Sequence, residues 1–170
     1  MKILQGIFTL LIITGISTNA NAQKTGMADT SVRYIKDAAG YLMVLRQGDN
    51  IYQELEKFAL KENVPAASFT GMGFVNMQFG FFDFSKKEYK PKDFKNVEMA
   101  SMHGTIAWQK GKVSIHGHGV VAGEDFKAYA GHILNATVST GSAEIIITVH
   151  SKKLERVMEE VLGANVLHLD

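Results

Sequence analysis

Apolar and polar residues alternate with a period of two over most of this chain, and that period predicts strands. Val32, Tyr34 and Ile35, followed by residues 41–46, predict two strands separated by a turn at 37–40. The period then changes. Ile51, Leu55, Phe58 and Ala59 fall at i, i+4, i+7 and i+8, which gives one apolar helical face, with Asp49 as its cap and an end near Asn63, ahead of Pro65. Strands resume at 67–70 and 75–84, separated by Gly71-Met72-Gly73; in the second, Val75, Met77, Phe79 and Phe81 share one apolar face. Residues 85–88 form a lysine-rich turn, and strands at 97–108 and 112–121 flank Lys110-Gly111, a tight hairpin turn. Residues 123–130 read as a loop or short helix, 133–139 and 143–150 as strands, and Ser151 as the start of a terminal helix closed by Gly163. Strands joined by tight turns, with two main helices, predict an α+β fold: a single domain with a largely antiparallel β-sheet.

The N-terminus does not fit this pattern. Lys2 precedes an apolar run over 3–16, and Ala20-Asn21-Ala22 places small residues at cleavage spacing, so residues 1–22 read as a signal peptide that is removed. The run is shorter than the roughly twenty residues that cross a bilayer. Residues 23–30 are polar and aperiodic, as expected of a flexible N-terminus, and 31–170 form the domain. Export to the periplasm or the medium follows, with no transmembrane segment in the mature chain. The whole sequence has 18 Lys plus Arg and 17 Asp plus Glu, and the leader holds one lysine and no acid, so the mature chain has 17 of each. Zero net charge argues against a protein living on nucleic acid, whose phosphates reward a basic excess. There is no cysteine, so neither disulfides nor thiolate metal sites are available. Met72, Met77, Met99 and Met102 read as core gap fillers.

The chemistry lies in Ile115-His116-Gly117-His118-Gly119. Residues two apart on a strand share a face, so both imidazoles point the same way. Counting back from the Lys110-Gly111 turn pairs Trp108 with Val113, Thr105 with His116, and His103 with His118, which brings His103 onto the same patch; a one-residue slip would send it to the opposite face. His132 follows a loop that contains Glu124 and Asp125. Three neutral imidazoles suit zinc with an open fourth position, and nickel, copper and iron also accept them. The alternative is a polar surface cluster. Glu124 or Asp125 is placed either to hold a ring N–H or to act as a base, or else is simply solvated. His150 and His168 have no partners in sequence and read as solvent-facing. Gly71-Met72-Gly73 has Asn76 where a dinucleotide fingerprint needs its third glycine, and neither a His-Glu-x-x-His helix nor a Gly-x-Ser-x-Gly elbow is present.

Arg46-Gln47-Gly48-Asp49 with the helix after it, residues 66–73 and 98–106, His116-Gly117-His118 and Gly131-His132-Ile133 together resemble the plants and prokaryotes conserved (PPC) domain, from Gly40 to roughly Val149. The resemblance implies an α/β fold with a largely antiparallel sheet, a homotrimer, and a three-histidine metal site at His116, His118 and His132. It also carries a DNA-binding label, although the Arg-Gly-Arg-Pro hook of plant members is absent from this sequence. Ala130 stands where the family has the first glycine of Gly-Gly-His, and His103 where it usually has a small hydroxyl residue. The resulting expectation is an exported homotrimer that binds a divalent metal, zinc foremost, with a small-molecule ligand. His103, Glu124 and Asp125 are its additional ligand or pocket residues. The alternatives are a DNA-binding protein and a metal-dependent hydrolase or lyase.

Overall fold

The computed structural model describes residues 31–169. The expected signal peptide (1–22) and the expected flexible stretch (23–30) lie outside the described residues. In chain order the elements are β1 (Tyr34–Asp37), β2 (Gly40–Arg46), α1 (Ile51–Lys61), β3 (Ala66–Asp83), β4 (Glu88–Gln109), β5 (Lys112–Ala122), β6 (Ala128–His150), β7 (Glu155–Glu159) and β8 (Ala164–His168). All eight strands belong to one sheet, ordered β1-β2-β6-β3-β4-β7-β8, with β5 pairing both β4 and β6. Because β3 pairs β4 and β6 as well, β3, β4, β5 and β6 form a closed ring of pairings. Every pairing is antiparallel except that of β7 with β4, which joins at Trp108 and Glu155.

The expected α+β class with two main helices is corrected here: the described residues are dominated by strands and carry one α-helix, of 11 residues. The segment after Ser151, expected to be helical, is instead the β7–β8 hairpin, with Arg156 opposite Leu167 and Val157 opposite Val166. Tertiary contacts override helix propensity there. The Trp108 N–H donates to the Leu154 carbonyl, and the Arg156 side chain turns inward to Thr105, which an exposed helix would not provide.

Two other boundaries moved. The two strands expected at 67–70 and 75–84 form one strand, β3 (Ala66–Asp83), because Gly71 and Gly73 accommodate bulges rather than a break. A Cβ on Gly73 would sit 2.4 Å from the Ser142 carbonyl oxygen, so only glycine lets β3 and β6 approach there. Residues 133–150 likewise run on as part of β6, through Gly141 at φ 75.

Helix α1 buries Ile51, Leu55, Phe58 and Ala59, the face its spacing predicts. Its cap is Asn50, whose side chain accepts from the Gln53 N–H; Asp49 instead pairs with Arg33 at 2.7 Å and accepts from the Arg46 N–H. Tyr34 and Tyr41 meet Phe58 edge-on, and both hydroxyls donate to Glu62. The strands pack Leu45, Phe69, Ile106, Ile133 and Ile145 into the same core, with Met77, Met99 and Met102 among them, whereas Met72 is exposed. Among the described residues no helix is long and apolar enough to cross a membrane.

Candidate metal centre

The hairpin turn at Lys110 and Gly111 has φ 48 and 78, both left-handed, as a two-residue turn between right-twisted strands requires. It fixes the register that was counted from sequence: Trp108 with Val113, Thr105 with His116, His103 with His118. Strand β6 then returns on the other side of β5 and sets His132 opposite His118. Both registers put the imidazoles of His116, His118 and His132 on one face. Their ring centroids lie 5.0–5.3 Å apart, nearly an equilateral triangle.

The opposite face of β5 explains why the strand can hold this position. Gly117 and Gly119 are buried against the core, and a Cβ on Gly117 would stand 2.6 Å from the Tyr52 hydroxyl of α1. Histidine on one side and bare backbone on the other make β5 a thin partition between core and site.

One nitrogen from each of the three rings lies within 4.8 Å of the other two. Three points so spaced fit in a circle of radius about 2.8 Å, so a central ion reaches bonding distance, about 2.1 Å to each nitrogen, once every ring closes in by less than 1 Å. The protonation state also fits. Burial, then the neighbouring rings and Arg156, pushes His132 down to about 4; burial, then Arg156 and His118, lowers His116. Both rings are therefore neutral near pH 7, the form that binds a metal.

The triangle opens into a cleft of about 620 Å³. One wall is the far end of the β3–β4 hairpin, with Phe81, Phe82, Phe84 and Tyr89; the other is the β7–β8 hairpin, with Arg156 and Asn165. Phe81, which alternation assigned to the apolar face with Phe79, is 76% exposed because the hairpin has left the core by that point. Tyr89 stacks on His132 with ring centroids 4.7 Å apart and planes 13° from parallel, which fixes that ring. Among the described residues no aspartate or glutamate lines the cleft.

The other sequence candidates lie elsewhere. His103 is exposed and opposite His118, yet its ring is not in the group of three. Glu124 and Asp125 are exposed in the turn between β5 and β6, away from the cleft lining, and Asp125 pairs with Lys127 at 2.9 Å, which holds its carboxyl below the usual range. His150 is not solvent-facing: half-buried, it shares a hydrogen bond of 2.9 Å with the Ser68 hydroxyl. His168 pairs with Glu159 at 3.5 Å. Sequence reasoning missed Arg156, which gives no local signal, and the aromatic wall, which Phe81-Phe82 and Phe84 beside a lysine-rich turn did announce.

Residues 33–151 match the model of the Plants and Prokaryotes Conserved (PCC) domain. Among solved structures, the chain is similar to a candidate DNA-binding protein of Ralstonia eutropha JMP134, with 50% identity and a TM-score of 0.79 over 81% of this chain and 96% of that one. It is also similar to a plant- and prokaryote-conserved (PPC) protein of Pyrococcus horikoshii, with 26% identity, a TM-score of 0.70, and 76% and 90% covered. A metal-containing protein of Archaeoglobus fulgidus shares 26% identity at a TM-score of 0.68, with 75% and 91% covered. No curated protein matches. With the family's model matched from β1 through β6 and the histidine triangle inside that stretch, this chain belongs to the plants and prokaryotes conserved domain family.

Proposed function

We propose that this is an exported, homotrimeric PPC-domain protein that binds a divalent metal, zinc foremost, through His116, His118 and His132, and that admits a small-molecule ligand to the cleft beside them. The observation that carries the reading is the convergence of three imidazole nitrogens within 4.8 Å of one another. The likeness to a metal-containing archaeal protein supports it. When bound, such a metal polarises a ligand oxygen and acidifies a coordinated water. The chain's own residues position it: β5 and β6 fix two edges of the triangle, and Tyr89 holds the third ring by stacking. A hydrolase or lyase also needs a proton acceptor, and among the described residues the cleft lining offers no carboxylate for that role, so the geometry favours binding over hydrolysis.

Trimer formation is supported by Leu42, Met72 and Ile146, which are 38%, 56% and 58% exposed and share the outer face of β2, β3 and β6. Light scattering of the purified protein reads the assembly directly, and fractionation of cells expressing the full sequence reads export. For the metal, the test is elemental analysis of the wild type beside His116→Ala and His132→Ala. Equal metal in all three would sink the reading.

A second reading, DNA binding, rests on the name of the Ralstonia relative and on exposed Lys86, Lys87, Lys90, Lys92 and Lys95 along one hairpin. Binding measured between 50 and 200 mM salt decides it, since real phosphate contacts give a steep loss of affinity over roughly that range.

A further inference from the structure

Arg156 is 7% exposed, so a guanidinium has been taken out of water, and a buried charge is costly unless it is paired. Among the described residues it has no carboxylate partner. One Nη donates to the Thr105 hydroxyl, and among the described residues Nε has no hydrogen-bond partner. Thr105 is the cross-strand neighbour of His116, so this contact fixes the guanidinium beside the histidine triangle, where it lines the same cleft. A cation held beside three imidazoles, in a cleft that no acid lines among the described residues, leaves a region of positive potential there.

We infer that Arg156 is the anion-recognition residue of the cleft, and that the ligand is a small carboxylate with an aromatic or apolar body, its carboxylate spanning the metal and the guanidinium and its body lying against Phe81, Phe82 and Phe84. The chemistry sets the class. An arginine N–H edge matches a planar carboxylate and gives charge-assisted hydrogen bonds. The opposite wall is aromatic and partly exposed, with Phe81 at 76% and Phe84 at 72%, so its phenylalanines offer apolar surface to a body. The volume of about 620 Å³ falls within the range that takes up small molecules whole. Arg156 sits on β7, five residues beyond the end of the stretch that matches the family's model.

The inference rests on the metal reading for one of the carboxylate's two partners, and the experiment separates the two. Benzoate is titrated calorimetrically into the full protein, zinc-loaded and zinc-free, with zinc content measured in parallel, and benzamide serves as the neutral control. Benzoate should bind the wild type, and at least tenfold more weakly the Arg156→Gln variant at equal zinc content; Arg156→Lys should fall between them. Benzamide should bind as weakly to the wild type as benzoate does to Arg156→Gln. If no zinc loads but benzoate still binds in an Arg156-dependent manner, the anion site stands and the metal reading falls. If Arg156→Gln melts early, Arg156→Lys and the benzamide comparison decide. Benzoate affinity that is undetectable in the wild type, equal to that of benzamide, or unchanged within twofold by either Arg156 variant, overturns the inference.

Discussion

Gly104 and Gly117 face each other across β4 and β5, on the side away from the histidines. A Cβ on Gly104 would lie 2.2 Å from the His116 carbonyl oxygen, 2.5 Å from Phe69 Cζ and 2.8 Å from Gly117 Cα. Two of these three obstacles are backbone, so no side-chain rotation relieves the clash; β5 itself has to move. Overpacking costs about 1–3 kcal/mol, and with backbone as the obstacle Gly104→Ala belongs at the upper end, about 3 kcal/mol. For a domain of this size each kcal/mol lowers Tm by about 2–4 °C, so the variant should melt about 6–12 °C below the wild type. Gly111→Ala is the control: its φ of 78 is unfavourable for alanine, but nothing lies within 4 Å of the new Cβ. That variant should lose only the left-handed backbone penalty, about 1–2 kcal/mol. Thermal and urea melts of both variants measure the difference, and competition with a chelating dye reads zinc affinity, which Gly104→Ala should weaken by displacing His116. A Gly104→Ala protein that melts within about 1 °C of the wild type, or above Gly111→Ala, would refute the reasoning.

Three further outcomes are expected. The folded state holds His132 at about 4 against an ordinary 6.5, so the unfolded chain binds more protons between those values, and metal-free stability is complete above the upper one and lost as pH falls towards the lower. After solvent screening of a half-buried ring the loss attributable to His132 is about 1.5 kcal/mol, and urea melts of His132→Gln should show a correspondingly flatter profile from pH 7 to 4. Asn50→Ala should cost about 1 kcal/mol through the lost Gln53 cap, measured by chemical denaturation. Trp108→Phe removes the Nε1 hydrogen bond to the Val64 carbonyl at 3.0 Å and should cost about 1 kcal/mol in the same assay, read by circular dichroism because the protein loses its single tryptophan.

Legibility followed locality. The register that places His116 and His118 could be counted because a two-residue turn leaves no slack between β4 and β5, and the face of α1 could be read because four apolar residues repeat with helical spacing. Capping was missed by one residue: Asp49 has the chemistry of a cap, but Arg33, sixteen positions earlier, takes its carboxylate, and Asn50 does the capping. Gly71, Gly73 and Gly141 looked like breaks because in isolation glycine ends strands; here they let long strands bend, and only the approach of β6 to β3 reveals it. The tail was misread for the same kind of reason. Leu154, Met158 and Val161 have spacings close to those of a helix, and the forces that make the segment a hairpin come from Trp108 and Thr105, far away in sequence. His103 shows the limit of register arguments: pairing put it opposite His118 as counted, and its ring still does not join the other three.

The cleft draws on three separate stretches of chain: the imidazoles lie within residues 116–132, the aromatic wall within 81–89, and the guanidinium at 156. The ring donors sit on adjoining strands of the closed β-ring, whereas the hairpin carrying Arg156 lies at its rim, paired through its backbone with β4 at Trp108 and tied to that strand by the side-chain bonds of Arg156 to Thr105 and of Gln109 to Asn165. Substitutions in that tail therefore reshape one wall of the cleft without touching the strands that carry the imidazoles, so the lining can diverge while the three nitrogens keep their places.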